Sequence, residues 1–106
     1  MNIDDIAARL EALGNPTRLK VFRLLVKAGS PGLPVGKLQE KLGIAASTLT
    51  HHLQKLVIVG LVTQERQSTV LICRANYPMM RNLVDSLVDQ CCADALTLPG
   101  PNSHQA

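Results

Sequence analysis

One predicted helix carries a face of polar side chains that could bind a ligand by hydrogen bonds. Residues 38–61 predict two short helices joined by a turn at residues 43–45, where Gly43 can take a positive φ. At 100° per residue, one face of the second helix, about residues 46–59, carries Ser47, His51, Gln54 and Lys55, with Thr50 at its border. Such side chains bond to base edges and phosphates, and none is acidic. The pattern indicates a helix-turn-helix whose second helix enters the DNA major groove.

The second set of reactive side chains is three cysteines, Cys73 alone and Cys91 beside Cys92. Thiolates select soft or thiophilic ions over hard ones. Neighbouring residues on a helix point about 100° apart, so one ion holds both Cys91 and Cys92 only if that helical turn distorts. Free cysteine is also often buried, so the pair could instead pack in an interface and Cys73 within a strand.

Two β-prone runs, residues 61–63 and 69–73, follow the second helix directly. The polar stretch between them, residues 64–68, contains Arg66, which predicts a hairpin with a basic tip. A helix-turn-helix followed by such a hairpin is a winged helix. We therefore predict a mainly α fold with a small β-hairpin (α+β), built from about five helices and a two-stranded wing at about residues 61–74.

The remaining helices must position these groups. Apolar spacing and asparagine-proline start signals predict helices over residues 3–13, 16–28, 34–42 and 78–94. We expect residues 16–28 to be the central buried helix, apolar on more than one side. The last helix carries a broad apolar stripe, which the first helix can join. These stripes predict a homodimer through the first and last helices.

The chain of 106 residues predicts one domain, residues 1–96, and a disordered Pro/Gly-rich tail, residues 97–106. No apolar run approaches the ~20 residues of a membrane span, and the acidic N-terminus is not a secretory signal. We therefore expect a cytoplasmic protein with reduced thiols and no membrane partner. Between residues 15 and 74, nine Lys/Arg face two acids, whereas each end of the chain has a net charge of −2. A basic centre of +7 favours a polyanionic partner.

Two motifs resemble those of the ArsR/SmtB repressors: NPTRL followed by FRLLV over residues 15–26, and LGIAASTLTHHLQKL with VGLV over residues 42–62. The resemblance covers about residues 5–92 and implies a winged-helix homodimer that binds operator DNA and releases it on binding a metal or metalloid. Carried onto this chain, the DNA contacts would be Ala46, Ser47, Thr48, Thr50 and His51, with Arg66 in the wing. Ala46 departs from the polar residue of many members. His52 lies at the core border and is expected to pack.

Two metal sites common in that family do not map here. The helix at residues 34–42 has no Cys-x-Cys pair, and the last helix has Asp85 and Asp89 but no His. The arsenite-responsive subset resembles this chain in its adjacent Cys91 and Cys92. The resemblance implies trivalent arsenic, antimony or an organoarsenical as inducer, with Cys73 as a candidate third ligand. Two thiolates alone suit a mono-organoarsenical, and no zinc site is expected.

Two other functions fit the same fold. The thiols could serve a redox or reactive-sulfur switch, or the winged helix could bind a protein instead of DNA. An enzyme is not expected, because the sequence has no Cys-x-x-Cys, no Gly-rich phosphate loop and no carboxylate pair beside a nucleophile.

Overall fold

Five helices and a small antiparallel sheet form the structure, a computed structural model that describes residues 1–95. In chain order the elements are α1 (Ile3–Leu13), α2 (Pro16–Ala28), β1 (Leu33–Pro34), α3 (Val35–Leu42), α4 (Ala46–Ile58), β2 (Val62–Gln67), β3 (Val70–Ala75) and α5 (Tyr77–Val88). The predicted winged helix-turn-helix fold is confirmed. The predicted tail, residues 97–106, lies outside the described residues. No helix of residues 1–95 is long and apolar enough to cross a membrane.

Asparagine side chains begin three of the helices. Asn2, Asn15 and Asn76 each accept a hydrogen bond from the backbone N–H three residues further on, at 2.8, 3.0 and 3.3 Å. These bonds satisfy N–H groups that the first turn of a helix leaves without a partner. The predicted starts of α1 and α2 are confirmed, and α5 begins one residue before its predicted start.

Leucines from several elements build the core. Leu25, Leu38, Leu49, Leu56 and Leu61 are fully buried, and each contributes about 1.5–3 kcal/mol relative to an exposed side chain. The helix α2 buries only one side, because its Leu19 is 40% exposed. The expected central position is confirmed, because α2 contacts α1, α3, α4 and β3. Its apolar residues are not all buried, however, since Leu19 lies on the open side.

The sheet has the order β1-β3-β2, so the wing carries a third strand that sequence patterns did not predict. Leu33 pairs with Cys73 and Pro34 with Ile72. A two-residue strand has no pattern of its own, and only this pairing to β3 creates it. Gly32 makes the approach possible, because a Cβ there would lie 2.5 Å from the Cys73 carbonyl oxygen. The helix predicted from residue 34 accordingly begins at Val35.

The wing strands are longer than predicted. They are joined by a two-residue turn at Ser68 and Thr69, where Ser68 has a φ of 59°. The polar residues that were expected at the tip, including Arg66, belong to β2 and pair with β3. All of β2 after Val62 is exposed, so backbone pairing rather than burial forms this strand.

The last helix is shorter than predicted: α5 ends at Val88 instead of residue 94. Residues 89–94 form turns, with Gln90 and Cys92 at φ values of 60° and 61°. Leu87 and Val88 are each 56% exposed, so no packing supports a further turn, and Asp and Cys are weak helix formers. Cys91 and Cys92 therefore lie outside the helix.

A buried arginine joins three helices. Arg18 in α2 is only 7% exposed, and its Nε donates a 2.6 Å hydrogen bond to the carbonyl oxygen of Ala12 in α1. Its Nη1 lies 3.4 Å from Nδ1 of His52 in α4. Arg18 was counted among the basic residues facing a polyanion, but its burial removes it from that surface.

We expect Arg18→Ala to lower the free energy of unfolding by about 2–3 kcal/mol, because a charge-assisted buried hydrogen bond is lost and Ala12 keeps an unpaired carbonyl. Urea unfolding at fixed protein concentration would measure the loss. Lys55→Ala, at an exposed site on α4, is the control and should change stability by less than about 0.5 kcal/mol. Equal unfolding midpoints for Arg18→Ala and wild type would contradict this structural role.

Candidate nucleic-acid interface

The turn between α3 and α4 orients the candidate reading helix. Gly43 ends α3 in the left-handed conformation, with φ 64° and ψ 34°, and its N–H donates to the carbonyl oxygen of Gln39. Leu38 of α3 and Leu49 and Leu53 of α4 share the core. Since both helices are anchored by buried leucines, the opposite face of α4 must point outward.

The exposed side of α4 carries every helix residue that the sequence predicted to contact DNA. All are exposed: Ala46, Ser47, Thr48, Thr50, His51, Gln54 and Lys55. The buried side holds Leu49, Leu53 and Leu56. Val57, one residue after Leu56, is 37% exposed. The helix contains no acidic residue, so its outer face offers hydroxyls, an imidazole, an amide and an ammonium without repelling phosphate.

The two histidines of α4 have different environments. His51 is exposed, whereas His52 is half-buried with its ring centroid 5.9 Å from that of His51. Arg18 can only donate, so Nδ1 of His52 accepts and the ring proton lies on Nε2. Burial lowers the pKa of His52, and the nearby charges of Arg18 and His51 lower it further. These effects favour the neutral ring, and the half-buried position agrees with the expectation that His52 packs at the core border.

Charge on the wing is partly neutralised. Nη1 of Arg74 lies 2.6 Å from Oε1 of Glu65, and its Nε donates to the carbonyl oxygen of Ser30. Hydrogen bonds from Arg74 and then Gln67 lower the pKa of Glu65. Arg66 is exposed on β2, in the register opposite Leu71. Across residues 1–95, neither Lys55 nor Arg66 takes part in an ion pair, so both charges can meet phosphates.

The cysteines fall into one exposed pair and one buried residue. The Sγ atoms of Cys91 and Cys92 lie 3.7 Å apart at the surface. The hydrogen bond and charge of Cys91 raise the pKa of Cys92. The two residues lie on a turn that already brings the sulfurs close together. One ion could therefore reach both sulfurs without the helix distortion that we expected.

Cys73 lies apart from the pair. It is fully buried in β3, and its Sγ accepts a 3.5 Å hydrogen bond from Nε2 of Gln64. Burial raises the pKa of this thiol. Within residues 1–95, no three His, Cys, Asp or Glu side chains are grouped to hold a metal ion. The structure therefore does not bring Cys73 to Cys91 and Cys92.

Comparison with known proteins identifies the helix-turn-helix. A family model described as a helix-turn-helix domain matches residues 13–65, half of the chain. The chain belongs to this family. The HTH-type transcriptional regulator YgaV of Escherichia coli is 27% identical over 89 residues, covering 84% of this chain and 88% of YgaV. The nodulation protein NolR of Rhizobium meliloti is 31% identical over 83 residues, covering 78% of this chain and 66% of NolR.

Solved structures share the fold. A crystal structure of an ArsR family transcriptional regulator superposes with a TM-score of 0.76 at 19% identity, covering 92% of this chain and 98% of that one. A homodimeric winged helix-turn-helix domain from Mycobacterium bovis has a TM-score of 0.68 at 26% identity, covering 98% and 88%. This helix-turn-helix chain thus has the ArsR-type winged fold. The prediction that it is not an enzyme agrees with relatives named as regulators.

The position of His52 makes stability depend on pH. Its pKa falls on folding from 6.5, so the unfolded chain takes up a proton first as pH drops. The stability that neutral His52 contributes is present above pH 6.5 and is lost as pH falls from there to the folded pKa. We expect His52→Gln to lose less stability than wild type between about pH 7 and about pH 5, as measured by urea unfolding. His51→Gln is the exposed control, and identical losses in His52→Gln and wild type would contradict the assignment.

Proposed function

We propose that this helix-turn-helix protein is a homodimeric transcriptional repressor of the ArsR type, with α4 and the wing gripping operator DNA. A trivalent arsenic or antimony species, or an organoarsenical, releases the DNA by binding Cys91 and Cys92. The observation that carries the DNA role is the acid-free, exposed outer face of α4, and the exposed Arg66 of β2 adds a cation on the wing. The relatives named as transcriptional regulators support it.

The geometry of α4 supports binding in the major groove, which is about 12 Å wide and admits one helix. Ser47, His51 and Gln54 lie along the middle of the outward face and would meet base edges. Lys55 and Arg66 would neutralise phosphates, the contacts that position a protein on the duplex without reading its sequence. Ala46 offers only a methyl group, which suits contact with a thymine methyl.

Two copies would place two reading helices on one duplex. Apolar side chains of α1 and α5 are exposed, among them Ile3 at 75%, and the homodimeric relative from Mycobacterium bovis supports pairing. A two-fold dimer presents its helices to half-sites about one turn of DNA apart. A change in the dimer contact would therefore change how well both helices fit.

The exposed thiol pair supports a thiophilic inducer. Cys91 and Cys92 supply two sulfurs 3.7 Å apart, and Cys73 is buried away from them. A mono-organoarsenical with two hydroxyl groups fits two thiols: two As–S bonds form, two As–OH bonds break and two waters leave, without an oxidant. Arsenite would need a third ligand from elsewhere. A reducing cytoplasm would keep the pair ready to bind.

A second candidate rests on the same pair. Two thiols this close also suit a redox or reactive-sulfur switch, although a disulfide between neighbouring residues is strained. Mass spectrometry after peroxide or persulfide treatment separates the two functions, because only the redox switch requires a defined crosslink that relieves DNA binding.

The DNA role is tested by the salt dependence of binding to duplexes selected from a random pool. Lys55→Ala and Arg66→Ala should each weaken binding and reduce the slope of log affinity against log salt by about 1, because each removes one phosphate contact. Arg81→Ala, an exposed cation on α5, should leave the slope unchanged. If wild-type protein has no salt-dependent affinity for any duplex, the protein-interaction function replaces this proposal.

The inducer is tested with phenylarsine oxide and a fluorescent operator duplex. Cys91→Ser and Cys92→Ser should each require about 10²-fold more arsenical than wild type to release DNA, because a single thiol loses the chelate. Cys73→Ser should respond like wild type, since its buried sulfur is not part of the pair. Release of DNA from the Cys91→Ser/Cys92→Ser variant at the wild-type dose would rule out this sensor.

A further inference from the structure

The last helix is fastened to the rest of the chain at its first turn. Nδ2 of Asn76, which caps α5, donates a 2.9 Å hydrogen bond to the carbonyl oxygen of Gly60, just after α4. The Tyr77 hydroxyl lies 3.0 Å from the carbonyl oxygens of Leu25 and Val26 in the last turn of α2. The start of α5 is therefore tied to the ends of both α2 and α4.

Asn76 forms a hydrogen bond through each of its four polar atoms. Its Oδ1 accepts from the N–H of Met79 at 3.3 Å, and its carbonyl oxygen accepts from the N–H of Met80 at 2.9 Å, both within α5. Its backbone N–H donates to the carbonyl oxygen of Leu61 at 2.9 Å, beside the bond from Nδ2 to Gly60. One residue thus starts α5 and holds two consecutive carbonyl groups that follow α4.

The other two capping asparagines lack such a link. Within residues 1–95, Asn2 and Asn15 bond only to residues of their own helices. Aspartate and serine cap helices about as well as asparagine does, but neither has an amide N–H. The bond from Asn76 to Gly60 is therefore not needed for capping, and it depends on the asparagine amide.

The carbonyl groups that Asn76 holds belong to the turn that ends α4. Gly60 has a φ of 80°, and its N–H donates to the carbonyl oxygen of Val57 at 3.0 Å. The N–H of Leu61 donates to the carbonyl oxygen of Leu56, and both of these leucines are fully buried. These bonds join the turn to the last turn of α4, so a shift of Asn76 would displace the end of α4.

The opposite end of α5 leads to the cysteine pair. The 12 residues of α5 span about 18 Å, and Cys91 lies three residues beyond its end at Val88. Leu83 is buried, whereas Leu87 and Val88 are each 56% exposed. The end of α5 near the pair thus lies outside the core of its own chain. A movement at the pair would therefore tilt α5 about its anchored first turn.

We propose that Asn76 is the positioning residue that couples the cysteine pair to α4. When a thiophilic ligand reorders the turn at Cys91 and Cys92, α5 tilts, and the bond from Nδ2 to Gly60 carries the end of α4 with it. This rests on the inducer site of the proposed function and specifies its route to α4. The side-chain amide can be removed without losing the cap, so the route can be cut separately from the helix.

Hydrogen exchange tests this route without DNA. Phenylarsine oxide is bound to the pair, intact mass confirms one arsenical per chain, and deuterium uptake is followed in peptides that cover residues 56–62. We expect loading to change the exchange rate there at least about twofold in wild type, and less than half as much in Asn76→Ser and Asn76→Asp, because the side-chain link is absent. Asn15→Asp changes a cap that bonds only to its own helix, so this matched control should respond like wild type. Circular dichroism checks that each variant is folded.

The comparison of loaded with free protein separates coupling from stability. A purely structural role of Asn76 would raise exchange equally in both forms, and urea unfolding measures that loss of stability. A duplex-binding assay adds a second readout, the ratio of the Kd values for DNA with and without phenylarsine oxide. This ratio should fall at least about threefold in both Asn76 variants, since allosteric coupling is typically about 5–150-fold.

Equal exchange responses in wild type and both Asn76 variants would overturn the coupling. A wild-type protein whose residues 56–62 do not respond to the bound arsenical would overturn it as well. A pair that does not bind phenylarsine oxide would end the coupling and the inducer site together. Wild-type protein that shows the exchange response but keeps its DNA would end only the proposed inducer and leave the coupling standing.

Discussion

The structure depends on one buried cation. Arg18 is almost fully buried. Its guanidinium donates a hydrogen bond to the Ala12 carbonyl on one side and contacts the His52 ring on the other. A guanidinium suits this position because its planar fork directs several donors at once and keeps its charge. The bond also gives a partner to the Ala12 carbonyl in the last turn of α1, where carbonyl groups have no N–H partner within the helix. Arg18 thereby joins α1, α2 and α4, the helix whose outer face carries the predicted DNA contacts.

This constraint divides the basic residues into two groups. Arg18 and Arg74 serve the fold, one buried and one paired with Glu65, whereas Lys55 and Arg66 remain open to phosphates. Lys20, Arg23 and Lys27 of α2 belong to a third surface, because they line an apolar groove between α2 and α5. The mild net charge of +3 therefore conceals basic residues in separate surroundings.

The cysteine pair illustrates how local backbone geometry decides chemistry. On a regular helix, adjacent side chains diverge, and one ion could not reach both sulfurs without distortion. The helix ends at Val88, and the turn that follows brings the two Sγ atoms to 3.7 Å at the surface. The pair thus places two sulfurs close enough to bind one thiophilic ion, as the proposed inducer requires.

The sequence by itself determined the helices, their asparagine starts and the outward face of α4, because these follow from short-range periodicity and capping. It could not determine β1, the full length of the wing strands or the end of α5, because those depend on pairing and packing with distant residues. The sequence also could not reveal the burial of Arg18. An arginine shortly after Asn15-Pro16 gives the same sequence pattern whether its side chain is exposed to water or bonded to a carbonyl oxygen. The groove between α2 and α5 likewise arises only when the two helices come together. Local signals act over a few residues, whereas burial and sheet pairing are properties of the assembled chain.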